Sequence, residues 1–101
     1  MDEQREVAAF IERHDLETPA AYRLLDLVAE LGEVSKEALT STAYGEKAEA
    51  VEVSTDEVGD VLFALLAVAE QLDIDAGAAL DESLTKYRSR LDGAETPGSG
   101  E

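Results

Sequence analysis

Nine consecutive apolar residues, Val61-Leu-Phe-Ala-Leu-Leu-Ala-Val-Ala69, follow Ser54-Thr55-Asp56-Glu57 and constrain this chain more than any other stretch. A serine at the cap and a glutamate three residues later form a capping box, so a helix is expected over residues 55–72. Its centre is apolar on every side and must be covered from more than one direction. A chain of 101 residues has little material for that cover, which implies an oligomer, either a dimer or a tetramer. The run is also far shorter than the roughly 20 residues needed to span a bilayer.

The rest of the chain reads as three more helices. Val7, Phe10 and Ile11 form an apolar stripe over residues 2–14. After Glu17-Thr18-Pro19, with Thr18 as cap and Pro19 at the first helical position, a second helix runs over residues 19–39. Leu24, Leu27, Val28, Leu31 and Val34 form its apolar face. Residues 40–53 contain Tyr44-Gly45 and lack a helical period, so a loop or short irregular helix is expected. Strand-like alternation is confined to residues 49–53. Asp75 caps a fourth helix striped by Leu80, Leu84, Tyr87 and Leu91. The composition of residues 93–101 reads as a disordered tail. One all-α domain over residues 1–92 results, a four-helix bundle completed by oligomerisation.

Charge narrows the function. With 24 acidic residues against 8 basic, the net charge is −16. A basic face for nucleic acid is therefore not expected. Three lysines, Lys36, Lys47 and Lys86, accompany this acid, a balance resembling proteins of salt-accumulating cytoplasms, where ionic strength screens repulsion. The absence of cysteine excludes disulfides and thiolate metal sites. The acidic start Met1-Asp2-Glu3-Gln4 resembles no export signal, and the default expectation is a soluble cytoplasmic protein without a membrane partner.

Some of the acid is patterned. Glu30 and Glu33 lie three apart within the second helix, as do Glu57 and Asp60 within the third, so each pair shares a face. Asp26 and Glu37 widen the first pair into a stripe of roughly 60° at about 100° per residue. If the two helices are antiparallel neighbours, both pairs fall near the same end of the bundle. Four carboxylates suit Mg²⁺ or Mn²⁺, which prefer oxygen ligands and keep waters that phosphates can displace. The lone histidine, His14, lies outside both pairs, which disfavours zinc and a ferritin-like di-iron centre. From spacing alone, a solvated acidic face remains open, with Glu57 acting as a capping residue and Asp60 favoured by the helix dipole.

The succession Leu27-Val-Ala-Glu-Leu-Gly-Glu-Val34, Asp56-Glu-Val-Gly-Asp-Val-Leu-Phe-Ala-Leu-Leu66, Leu72-Asp-Ile-Asp75 and Lys86-Tyr-Arg-Ser-Arg90 resembles the MazG-like nucleotide pyrophosphohydrolases. The resemblance implies an all-α NTP pyrophosphatase fold with Glu30, Glu33, Glu57 and Asp60 as Mg²⁺ ligands. Ala29 stands where the family usually has the first glutamate of a doublet. The implied reaction is water attack at the α-phosphorus of a nucleoside triphosphate, releasing pyrophosphate. Lys86 and Arg90, four apart on one helix face, are the candidate phosphate contacts, and Glu37 is the candidate for positioning or deprotonating the water. Two other readings stay open: a phosphoribosyl-ATP pyrophosphatase, and a non-catalytic acidic helical interaction module.

Overall fold

The computed structural model describes residues 1–93. They form α1 (Asp2–Arg13), α2 (Ala20–Ser41), a 3₁₀ turn (Ala48–Ala50), α3 (Thr55–Gln71) and α4 (Ala76–Asp92). No strand occurs among the described residues. Apart from Gly93, which ends α4, the tail expected over residues 93–101 lies outside them.

Two helices start as the sequence indicates. Ser54 Oγ accepts a hydrogen bond from Glu57 N at 3.2 Å to open α3. Asp75 Oδ1 accepts one from Ala78 N at 3.1 Å to open α4. Each satisfies one of the backbone donors orphaned at a helix N-terminus. The start of α2 differs from the expected Thr18 cap. Pro19 itself occupies the N-cap with extended backbone (φ −58°, ψ 151°), no side chain caps the helix, and Ala20 is the first helical residue. The Pro19 carbonyl accepts from Tyr22 N and Arg23 N at 3.0 and 3.3 Å, and the Arg23 guanidinium donates back to the Leu16 carbonyl.

The packed body consists of α2 and α3 side by side, with α1 laid on α3. Phe10 meets Phe63 edge-on with ring centroids 6.0 Å apart, a favourable aromatic geometry. Gln4 is buried and fastens the other end of α1. Its Nε2 donates to Glu70 Oε1 (3.2 Å) and to the Ile74 carbonyl (2.7 Å), while its Oε1 accepts from Ala76 N (2.7 Å). One side chain thus ties α1 to the end of α3 and supplies an acceptor to the first turn of α4.

The four expected helices are present, and they do not close into a bundle within one chain. α4 makes only marginal contact with the other helices, and a cleft of about 340 Å³ opens between it and α3, walled by Leu65, Val68, Ile74 and Leu80. The radius of gyration is 16.8 Å, against about 13 Å for a compact domain of this length. On α3, Ala64, Leu66, Ala67, Val68 and Ala69 are buried, but Val58, Leu62 and Leu65 remain exposed. Leu24, Leu25, Val28 and Leu31 on α2 and Leu80, Leu84, Tyr87 and Leu91 on α4 are exposed as well. This is far more bare apolar surface than a solitary soluble domain ordinarily shows. None of the helices described is long and apolar enough to cross a membrane.

Candidate metal centre

The antiparallel seam between α2 and α3 brings three of the four candidate ligands together. Glu30 from α2 and Glu57 and Asp60 from α3 each offer a carboxylate oxygen, all within 4.8 Å of one another. Glu57 and Asp60 share a face because they are one turn apart, and Glu30 meets them from the opposing helix. Glu33 is exposed and stands outside the trio, yet its charge acts on both Glu30 and Glu57.

The trio is electrostatically unsatisfied. Partial burial, followed by the neighbouring Asp60, Asp26 and Glu33 charges, pushes the Glu30 carboxyl above its usual range. Partial burial, followed by the Glu37, Glu33 and Asp60 charges, does the same to Glu57. Among the groups acting most strongly on either carboxyl, none is a cation. Like charges held this close favour proton uptake or a counter-ion. Around an ion of octahedral habit with oxygens at about 2.1 Å, ligand oxygens lie within about 4.2 Å of one another, so the trio fits such an ion after small side-chain movements. With only carboxylates as donors, the site suits a hard divalent cation.

Glu37 has a role that local sequence pattern does not reveal. In a complete capping box the Glu57 carboxylate would reach back to Ser54 N–H. Here that donor goes to Glu37 Oε1 at 2.8 Å, with Glu37 Oε2 3.5 Å from Ser54 Oγ. The α2 side chain takes over the reciprocal half of the box, and the Glu57 carboxylate faces Glu30 and Asp60. The Glu37–Ser54 pair is separated by 17 residues, so no window-based motif would signal it.

Beside this contact lies a second feature missed in the sequence, a polar cleft of about 470 Å³ lined by Glu37, Thr40, Ser41, Glu52, Ser54 and Thr55. Ser41 Oγ accepts from Glu52 N at 2.9 Å and pins the loop that forms one wall. Lys86 and Arg90 sit on α4 and flank the Tyr87 ring at 5.2 and 5.7 Å, as cation–π partners. α4, which carries them, makes only marginal contact with the helices that hold the acidic trio. His14 closes α1 and its ring lies tilted at 49° against Phe10, with 4.5 Å between centroids.

No protein-family model matches the chain. The crystal structure of the Bacillus-conserved MazG protein, a nucleotide pyrophosphohydrolase, is similar to it over 85% of each chain, with a TM-score of 0.66 and 30% identity. YpjD of Bacillus subtilis, described as uncharacterized, is 38% identical over 68 residues, or 63% of this chain. The matched region spans only 60% of YpjD. The shared all-helical fold, at this identity and over this share of both chains, places the protein in the family of MazG-like nucleotide pyrophosphohydrolases.

Proposed function

We propose that this protein is a Mg²⁺-dependent nucleoside triphosphate pyrophosphohydrolase that converts (d)NTP to (d)NMP and pyrophosphate by water attack at the α-phosphorus. The convergence of Glu30, Glu57 and Asp60 on the α2–α3 seam carries this reading. These residues, with Glu33 swinging in from the same face of α2, would hold Mg²⁺ or Mn²⁺. Such an ion supplies neutralisation of the triphosphate and acidification of a bound water. A chain at −16 repels a polyanion, so charge compensation is needed for binding as well as for reaction.

The chain's own groups then divide the work. Glu37, held through Oε1 by Ser54 N–H, orients the attacking water. Lys86 and Arg90 contact the phosphates. A second copy of the chain, in a homodimer or homotetramer, would cover the bare faces of α2, α3 and α4 and bring those cations to the site. The exposed Val28, Leu62, Leu65 and Leu84 support that assembly.

The test is product analysis with a panel of NTPs and dNTPs in Mg²⁺ and molar KCl, the salt chosen to screen the acidic surface. Pyrophosphate is expected as the first product. Orthophosphate first, or no product from any nucleotide, would overturn the reading.

A further inference from the structure

The cleft beside the trio differs from it in chemistry. Its polar lining consists of two carboxylates, Glu37 and Glu52, and the hydroxyls of Thr40, Ser41, Ser54 and Thr55, with no basic side chain among them. Its volume of about 470 Å³ falls within the range typical of small-molecule sites, about 300 to 1,000 Å³. It adjoins the acidic trio without including its residues. Ser54 opens α3 one turn before Glu57, and the Glu37 charge is the strongest of those acting on the Glu57 carboxyl.

A wall of carboxylates without a cation rejects phosphate and accepts hydrogen-bond donors that carry no negative charge. In a nucleoside triphosphate the group bonded directly to the α-phosphate is the sugar, and its hydroxyls are such donors. With the triphosphate over Glu30, Glu57 and Asp60, the sugar falls beside them. Glu37 is engaged by Ser54 and assigned to the attacking water, which leaves Glu52 as the other carboxylate of the cleft. The Glu52 N–H donates to Ser41 Oγ, which fixes the backbone of that residue on the cleft wall.

We propose that this cleft is the sugar subsite, that Glu52 accepts hydrogen bonds from the vicinal 2′- and 3′-hydroxyls, and that the protein therefore prefers ribonucleoside over deoxyribonucleoside triphosphates. The proposal rests on the reading of the trio as the triphosphate site. It also orients the substrate: the nucleoside lies toward the C-terminal end of α2 and the departing pyrophosphate toward Asp26.

Two measurements test it. The first compares kcat/KM for matched NTP and dNTP pairs in wild type, Glu52→Gln and Glu52→Ala. A hydrogen bond to a charged acceptor corresponds to roughly tenfold or more in preference. Wild type should show that ratio, and Glu52→Ala should collapse it toward unity through KM rather than kcat. A wild type without preference, or equal losses on both sugars, overturns the proposal. The second needs no turnover: metal-free, isotope-labelled protein is titrated with uncharged ribonucleosides and their 2′-deoxy counterparts. Amide shifts at Ser41, Glu52 and Thr55, larger with the ribonucleosides, are expected; no shifts there, or equal shifts with both sugars, overturn it. Ribonucleoside shifts without pyrophosphate release would sink the pyrophosphohydrolase reading and leave the sugar subsite standing. Pyrophosphate release without a sugar preference would do the reverse.

Discussion

α3 and α4 are both 17 residues long, and both begin with a side-chain cap, Ser54 on one and Asp75 on the other. Five residues of α3 are buried, and none of α4 is. Caps and helical period thus define where a helix begins and which face is apolar, whereas burial depends on a partner element being available. α3 has α1 and α2 as neighbours, while α4 has lost its place in the chain's own core. The candidate metal centre depends on the first kind of helix: its three carboxylates lie on the α2–α3 seam.

This contrast can be broken by substitution. Leu66 is only 3% exposed, so Leu66→Ala should cost about 3 kcal/mol at any protein concentration in chemical denaturation. Leu84→Ala removes the same atoms from a bare helix. If a second copy covers α4, its cost should grow as the protein is made more concentrated, with sedimentation shifting toward monomer in the variant. A loss of less than about 0.5 kcal/mol at every concentration would show that α4 stays uncovered.

A smaller effect is expected at the junction of α2 and α3. Glu37→Ala removes the acceptor for Ser54 N–H and should destabilise the fold by about 1 kcal/mol, the usual size of a cap. It should also leave that donor to the Glu57 carboxylate, drawing it away from Glu30 and Asp60. Weaker cation binding in Glu37→Ala than in wild type, measured calorimetrically, is the expected sign of that competition. Unchanged stability and unchanged binding would remove Glu37 from the design of the site.

Legibility follows the same division. The caps at Ser54 and Asp75 are local and were readable, as were the shared faces of Glu30/Glu33 and Glu57/Asp60. The joining of Glu30 to Glu57 and Asp60 needed only one assumption, an antiparallel α2–α3 pair. Contacts between residues distant in sequence were not readable. Gln4 reaches partners 66 to 72 residues away, and Glu37 caps a helix 17 residues downstream. Pro19 displaced the expected Thr18 cap because its own carbonyl and extended backbone suffice to start α2. The splay of α4 was unreadable for another reason: an amphipathic stripe looks the same whether its cover comes from its own chain or another.

The smallest effect concerns acid. Burial and neighbouring carboxylates raise the Glu30 and Glu57 pKa values in the folded, metal-free protein. A raised folded pKa contributes stability that is full below the unfolded pKa and is lost as pH rises through the folded one. Asp75 runs the opposite way: the Ala78 N–H bond and the nearby N-terminal amine lower its pKa, so its contribution is lost as pH falls through the folded value. Comparing wild type with Glu57→Gln isolates the first effect. From about pH 4 to 7, across and above the ordinary glutamate range, the melting temperature of metal-free Glu57→Gln should gain on that of wild type. A constant difference would contradict the repulsion inferred at the trio.

Calorimetric titration of Mg²⁺ at neutral pH into wild type and Glu57→Gln, both folded by circular dichroism, asks whether the trio is a cation site at all. Wild type should bind Mg²⁺ saturably and Glu57→Gln should lose that binding. Equal binding by both proteins, or none by wild type, would mean that the three carboxylates on the α2–α3 seam are only a crowded acidic surface.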